Sequence, residues 1–290
     1  ETVRGLVTTG GARIVENESS SAATSTLTVN VASGTQIFSG VLRNGDGIGT
    51  DGTLALTKTG AGTQVLSGAN TYSGVTTISE GLLHISAGGT TGTGAVSVLN
   101  GGTLSGTGVI QGSSFTAASG ATIHAGDGIA QENHGTLTFT PASGSGSFDF
   151  QSGSTVVLGI NPGGTSDLLN FVGTGTNTLL FNGNLTVTAV SFTPVAEETF
   201  NLLDWSGLGT APTFASHYNH TGLLFGNGDE AAGLDLPDVF GTGYGWDISS
   251  FITNGSIALV VVPEPSRLCL LGFFLGLLAA RRVRKTRVLS

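Results

Sequence analysis

Residues 52–74 read GTLALTKTGAGTQVLSGANTYSG. Two short runs in this stretch, Leu54–Thr57 and Thr63–Leu66, are rich in residues that favour strands. Leu54 and Leu56 stand two positions apart, which is the spacing of a strand with one buried face. Gly60-Ala61-Gly62 lies between the runs and supplies the positive φ angles that a tight turn needs. The stretch therefore predicts two short strands joined by a tight turn.

This alternation of short strand and glycine-rich turn continues along the chain. Further predicted strands up to residue 145 are Val75–Ile78, Leu82–Ser86, Ala95–Leu99, Thr103–Ser105, Ala121–His124 and Thr136–Thr140. After about residue 146 the predicted strands become longer and more apolar: Val156–Ile160, Leu168–Val172, Leu179–Phe181, Leu185–Val190, Phe200–Leu203 and a last strand at Ser256–Val262. Residues 206–250 look rich in loops.

Two all-β folds fit this pattern, an antiparallel sandwich and a β-solenoid. Hairpin signals between longer strands would favour the sandwich. The strands here are very short and the turns crowd together, which suits a solenoid in which each coil stacks on the previous one. Only 10% of the residues are charged, which also suits a stack, because like charges in successive coils would repel each other.

Residues 52–74 resemble the autotransporter-associated β-strand repeat at nearly every position, and the resemblance continues to Ser86 through Gly81-Leu82-Leu83. Residues 94–107 and 120–139 look like the degenerate coils that follow such a repeat. The resemblance implies a right-handed parallel β-helix on a bacterial surface.

The predicted organisation has three parts. Residues 1–145 form a β-solenoid whose best match to the repeat is 52–86, and residues 146–262 form a β-rich continuation and cap. Residues 263–290 form a tail with a short C-terminal transmembrane α-helix. A cap is expected because the open end of a solenoid exposes unpaired strand edges.

Charge is unevenly distributed between the body and the tail. Residues 1–266 contain 4 Lys/Arg against 19 Asp/Glu, a net charge of −15, and no Lys or Arg lies between residues 59 and 266. A protein that binds nucleic acid needs cations to neutralise phosphate, so no nucleic-acid partner is expected. The only cysteine, Cys269, lies in the tail, so no disulfide holds the body together.

The tail combines a turn-forming motif, an apolar run and a basic end. Pro263-Glu264-Pro265 precedes the uncharged run Leu268–Ala280, which as a helix would be about 20 Å long. This is short for a hydrocarbon core of about 30 Å, although flanking arginines can snorkel and the bilayer can thin. The basic residues Arg281, Arg282, Arg284 and Lys285 act as a membrane stop, and the positive-inside rule places residues 1–266 outside.

These three parts, in this order, resemble a PEP-CTERM sorting signal, found on exported proteins of Gram-negative bacteria that make exopolysaccharide. The resemblance implies that Pro263, Glu264 and Pro265 form the sorting motif and that an exosortase-like membrane enzyme is a partner. It also implies that residues 268–280 anchor the chain transiently in the inner membrane. Because the chain starts at Glu1 without a signal peptide, this start is expected to be a processed end or a fragment.

Chemistry-bearing residues give only weak signals. Paired carboxylates of a glycoside hydrolase could be Asp127 with Glu132, Asp229 with Glu230, or Asp235 with Asp238, but all sit in glycine-rich turns, where acids are ordinary turn formers. His217 and His220 would need further ligands to bind a metal. Asp46–Gly52 resembles a single calcium-binding nonapeptide. We therefore predict no catalytic, metal-binding or cofactor-binding residues and no cofactor.

The predicted function is that of an exported structural or adhesive protein of the cell surface or extracellular matrix, with exopolysaccharide as a possible partner. One alternative is a polysaccharide-active β-helix enzyme, in which Trp205, Tyr218, Trp246 and the acids of residues 229–238 would converge. The other alternative is a permanently membrane-anchored surface stalk.

Overall fold

The computed structural model describes residues 1–8, 13–19, 21–46, 51–126, 134–141, 146–173, 176–189, 193–195, 197–220, 222–226, 228 and 233–262. These residues are nearly all β, and most strand pairs are parallel. The predicted sorting motif, membrane helix and basic end lie outside the described residues. Within the described ranges, no helix is long and apolar enough to cross a membrane.

Sheet 1 contains nine parallel strands that follow one another in chain order. They are β1 (Thr2–Val3), β3 (Thr24–Asn30), β6 (Thr53–Thr59), β8 (Thr76–Ile78), β10 (Val96–Val98), β13 (Phe115–Ala117), β16 (Ser147–Phe150), β20 (Thr178–Phe181) and β24 (Thr213–Phe214).

Sheet 2 contains strands that follow those of sheet 1 after a turn. Its parallel strands are β4 (Thr35–Phe38), β7 (Thr63–Leu66), β9 (Gly81–Ile85), β11 (Gly102–Gly106), β14 (Thr122–Ala125), β17 (Thr155–Asn161), β21 (Asn184–Ala189) and β26 (Leu234–Asp235). A short strand, β18 (Thr165–Ser166), pairs with β17 in the antiparallel sense.

Sheet 3 supplies a third strand to several coils, after their strands in sheets 1 and 2. It contains the parallel strands β12 (Val109–Ile110), β15 (Thr136–Phe139), β19 (Leu168–Val172) and β23 (Leu203–Gly207). Nearer the N-terminus, β2 (Ile14–Glu16) and β5 (Val41–Arg43) pair in parallel. The chain thus passes repeatedly through sheet 1, sheet 2 and then a third strand position, which agrees with the predicted β-solenoid and not with an antiparallel sandwich.

The register between neighbouring strands of sheet 1 measures the length of each coil. Thr57 pairs with Thr77, Thr77 with Ser97, and Ser97 with Thr116, so these coils are short and nearly equal in length. Thr116 then pairs with Asp149, and Asp149 with Leu180, so the next coils are more than half as long again. The stack therefore has a short-coil region (residues 53–126) followed by a long-coil region (residues 146–214).

Glycine fixes the turn between sheets 1 and 2. Gly81 has φ of +66°, and a Cβ atom there would lie 2.3 Å from the carbonyl oxygen of Gly60 in the preceding coil. A side chain would therefore meet both backbone strain and a clash. The turn at Gly81 can lie this close to the turn at Gly60 only because residue 81 has no side chain.

The interior changes character along the stack. In the short-coil region it consists mainly of aliphatic side chains, such as Leu56, Ile78, Leu83 and Leu104. From Phe115 onwards it becomes aromatic, and the ring of Phe150 lies 5.2 Å from Phe115 and 5.1 Å from Phe181, centroid to centroid. Offset and edge-to-face rings at such distances pack favourably.

An antiparallel end sheet follows the last coils. It contains β22 (Glu198–Asn201), β25 (Leu223–Leu224), β27 (Tyr244–Asp247) and β28 (Ser256–Val261). A 3₁₀ turn, Ser216–Tyr218, precedes β25 in the chain, and a one-turn helix, α1 (Phe251–Asn254), precedes β28. Phe251 contacts Tyr218 with a centroid distance of 5.0 Å, which connects the end sheet to the aromatic interior of the coils.

Candidate functional site

Polar residues of the 52–74 stretch hold neighbouring coils together from buried positions. Lys58 is fully buried, and its Nζ donates hydrogen bonds to the carbonyl oxygens of Thr59, Gly60 and Glu80 at 2.8, 2.7 and 3.2 Å. Burial lowers the pKa of Lys58, and the charge of Glu80 partly offsets that effect. The ammonium group therefore caps turn carbonyls and is not available to a ligand.

Asn70 and Tyr72 have similar structural roles. The Oδ1 of Asn70 accepts a hydrogen bond from the Leu42 backbone at 2.8 Å, and its Nδ2 donates to the Thr90 carbonyl at 2.6 Å. One amide thus joins three successive coils. Tyr72 is fully buried, and its hydroxyl lies 2.7 Å from the Oγ1 of Thr76.

The outer face of sheet 1 carries a column of hydroxyl side chains. In β8, β10 and β13 the middle residue is partly exposed while both neighbours are buried, so the middle side chain points outwards. The column consists of the register partners Thr2, Thr28, Thr57, Thr77, Ser97 and Thr116, and it continues to Asp149.

A second column runs along the outer face of sheet 2. It consists of the register partners Thr35, Thr63, Leu82, Thr103, Thr122 and Thr155, and it continues to Asn184. All but Leu82 and Asn184 carry a hydroxyl group. Both columns present their groups at the strand spacing of about 4.8 Å.

A polar cleft of about 700 Å³ lies where the two columns reach the long-coil region. Its lining residues come from different coils and are Asp149, Gln151, Ser152, Asn182, Asn184, Ala215, His217 and Gly233. The Nε2 of Gln151 donates to the Oδ2 of Asp149 at 3.2 Å. The side-chain amides of Asn182 and Asn184 make no hydrogen bond within the part of the chain that the structure describes.

His217 forms part of one wall of this cleft. Its ring lies on that of Tyr218, with a centroid distance of 4.1 Å, and a Cβ added to Gly233 would lie 3.1 Å from its Nε2. Burial lowers the pKa of His217, although a hydrogen bond to the Gly183 backbone raises it in part. Its buried Nε2 has no hydrogen-bond partner among the described residues.

A second cluster of titratable groups surrounds the buried carboxylate of Asp167. Its two oxygens accept hydrogen bonds from the backbone of Gly135 (2.9 Å) and Gly159 (2.7 Å). The Nδ1 of His134 lies 3.5 Å from Oδ1, and the Nε2 of His124 lies 4.0 Å from Oδ2. Burial raises the pKa of Asp167, and the two backbone hydrogen bonds counteract part of that rise.

The structure does not gather the residues that a polysaccharide-active enzyme was expected to use. Trp246 is fully buried and donates its indole N–H to the Pro237 carbonyl at 2.8 Å, while the Tyr218 hydroxyl donates to the Gly183 carbonyl at 2.8 Å. Trp205 packs against the interior. Trp246 and Tyr218 therefore belong to the core and offer no stacking surface to a ligand, and Trp205 is partly buried against it.

The candidate carboxylate pairs also lack support as an active site. Asp127, Glu132, Asp229 and Glu230 lie outside the described residues, as does much of Asp46–Gly52. Asp235 is exposed on β26, and the Oδ1 of Asp238 accepts a hydrogen bond from the Phe240 backbone, as a turn former does. Among the described residues, no group of three or more His, Cys, Asp or Glu side chains could hold a metal ion, and this covers His217 and His220.

The comparison with protein families agrees with the repeat. Residues 56–85 match the Passenger-associated-transport-repeat family. They correspond to most of β6 and all of β7, β8 and β9, which is one coil and about half of the next.

A relative points in the same direction. The chain is similar to the "Adhesin BmaC autotransporter" of Brucella suis biovar 1 (strain 1330), with 41% identity over 75 residues. These residues make up 26% of this chain and 2% of the adhesin, so the chain spans only a small part of that relative's length.

Sequence reasoning missed both hydroxyl columns and the cleft. The columns leave a readable signal, because Thr57, Thr77, Ser97 and Thr116 recur at a nearly constant spacing. The cleft leaves none, because its residues lie far apart in sequence and meet only through the folding of the coils after residue 146.

Proposed function

We propose that this chain is the body of an exported structural or adhesive protein of a Gram-negative cell surface or extracellular matrix. Its body is a right-handed parallel β-helix that presents its outer faces to partners and carries out no catalysis. The observation that carries the proposal is the repeat of residues 56–85, which lies within a continuous parallel stack and matches the Passenger-associated-transport-repeat family. The similarity to an adhesin supports the adhesive role.

The delivery route forms the second half of the proposal. Pro263, Glu264 and Pro265 form a sorting motif, residues 268–280 anchor the chain transiently in the inner membrane, and Arg281, Arg282, Arg284 and Lys285 stop transfer. An exosortase-like enzyme then removes the tail and releases the body to the surface or to the exopolysaccharide matrix. The support is the order of these three parts in the sequence.

Expression of the full chain, behind an export signal, in a host that bears an exosortase and in one that lacks it tests this route. Intact mass and cell fraction are measured in both. Loss of the residues after the Pro-Glu-Pro region only in the first host is expected. An unchanged mass in both hosts, with the protein in the membrane, would instead make residues 268–280 a lasting anchor. A Glu264→Ala variant should remain uncut in the exosortase-bearing host.

A further inference from the structure

The polar cleft offers hydrogen-bonding groups of both kinds without a cation. Asn182, Asn184 and Gln151 provide amide donors and acceptors, and Asp149 provides a carboxylate acceptor. Two of these amides, on Asn182 and Asn184, have no side-chain partner among the described residues. Such a set suits a ligand that carries many hydroxyl groups, because each hydroxyl both donates and accepts.

Charge selects among hydroxyl-rich ligands. No Lys or Arg lies between residues 59 and 266, and residues 1–266 have a net charge of −15. An anionic polymer would therefore be repelled from this surface, whereas a neutral one would not.

The cleft also lies at the end of the two hydroxyl columns. Thr116 is the register partner of Asp149, and Thr155 is the register partner of Asn184, so both columns lead directly into the cleft. A polymer seated in the cleft can continue along the columns and meet a hydroxyl group about every 4.8 Å. Many weak contacts of this kind add up to useful affinity when they are linked in one ligand.

We infer that the cleft and the two columns form a binding surface for a neutral polysaccharide chain. This inference rests on the adhesive part of the proposed function and names its ligand class. Asn182, Asn184 and Gln151 hold one segment of a few sugar residues, and the columns guide the rest of the chain along the stack. No bond is made or broken.

The test uses the full chain in detergent and measures binding by titration calorimetry and by retardation in polysaccharide-containing gels. The neutral probes are hydroxyethylcellulose, dextran and pullulan. Carboxymethylcellulose shares the glucan backbone of hydroxyethylcellulose but is anionic. At least one neutral polymer should bind about tenfold or more tightly than carboxymethylcellulose. Absence of binding to all three neutral polymers, or binding of carboxymethylcellulose as tight as that of the best neutral polymer, would overturn the inference.

Variants separate the cleft from the columns. Asn184→Leu should weaken binding of both the polymer and its tetrasaccharide about tenfold or more, because unpaired sugar hydroxyls lose affinity. Thr122→Val should weaken binding of the polymer and leave the tetrasaccharide unaffected. Thr138→Val on sheet 3 is the matched control and should change neither the binding of the polymer nor the binding of the tetrasaccharide. If Asn184→Leu unfolds the chain, Gln151→Met at the exposed turn serves in its place.

Failure of this inference and failure of the proposed function have different signatures. A surface-delivered protein that binds no neutral polymer contradicts only the ligand class. A protein that binds the polymer but is neither exported nor released contradicts the delivery route alone. If Asn184→Leu and Thr138→Val weaken binding equally, the cleft is not the binding site.

Discussion

The short-coil region and the long-coil region form one parallel stack, but their interiors contain different kinds of side chain. The short coils have an aliphatic interior, and buried polar groups such as Lys58 and Asn70 connect one coil to the next. The long coils enclose rings such as Phe150, Phe171 and Phe181. A longer coil has more volume to fill, and large rings fill it.

The two regions also differ in what they present on their outer surface. The short coils repeat the same outward hydroxyl positions, so they form an even track. The long coils and the segments that follow them bring Asp149, Asn184 and His217 together around a cleft. The columns come from positions that repeat from coil to coil, whereas the residues of the cleft do not repeat.

The largest expected effect concerns the aromatic interior. Phe150→Ala should lower the free energy of unfolding by about 3–5 kcal/mol, because it removes a fully buried ring that contacts four other rings. Chemical denaturation gives the value. Phe240→Ala, at a side chain that is 67% exposed, is the control and should cost little. A loss below about 1 kcal/mol for Phe150→Ala would mean that the rings do not support the long coils.

The second largest effect on stability is expected at the buried ammonium group of Lys58, in the short-coil region. Lys58→Met keeps the apolar stem but leaves the carbonyls of Thr59, Gly60 and Glu80 without their donor. The free energy of unfolding should fall by about 1.5–3 kcal/mol, as for hydrogen bonds to a charged group. Thr57→Val, one position away on the outer face, should be nearly neutral. A stabilised Lys58→Met variant would show that the apolar environment outweighs the hydrogen bonds.

A smaller loss is expected at the amide that joins three coils. Asn70→Ala removes its hydrogen bonds to Leu42 and Thr90 and should cost about 1–2 kcal/mol. Hydrogen exchange should show faster opening of the Leu42 amide in this variant. The exposed Asn100 supplies the control, Asn100→Ala. Unchanged protection of Leu42 would mean that the amide does not hold the coils together.

The smallest effect concerns the pH dependence of stability in the long-coil region. Burial raises the folded-state pKa of Asp167 above its ordinary value of 3.8. The folded chain therefore holds this proton more tightly, so the contribution of Asp167 to stability is present below 3.8 and is lost as pH rises through the folded pKa. The difference in unfolding free energy between wild type and Asp167→Asn should fall across that window. A difference that rises with pH would mean that folding lowers the pKa of Asp167 instead of raising it.

The strands of the repeat could be predicted because alternation and glycine act locally. Leu54, Leu56 and Leu66 are buried, and Thr63–Leu66 is a strand with the bounds that the sequence predicts. The pattern missed β24 to β27, which lie among the loops of residues 206–250. These strands are very short and are fixed by their partners, so no local pattern predicts them.

The candidate site was beyond sequence reasoning for a different reason. Lys58 counts in the sequence as one more surface charge, and only the stacked turns reveal three carbonyls around its Nζ. The aromatic residues suggested a sugar-binding face, but Trp246 and Tyr218 are buried in the interior instead. Positions that depend on contacts between distant coils cannot be derived from spacing alone.

The parallel stack itself is tested most directly by one distance. Spin labels at Thr28 and Leu180, in a Cys269→Ala background, sit on the outer face of sheet 1, six strand steps apart through Thr57, Thr77, Ser97, Thr116 and Asp149. Pulsed electron paramagnetic resonance should give one narrow distribution near 29 Å, which is about six times the strand spacing. A broad distribution, or one centred far from this distance, would contradict the stack.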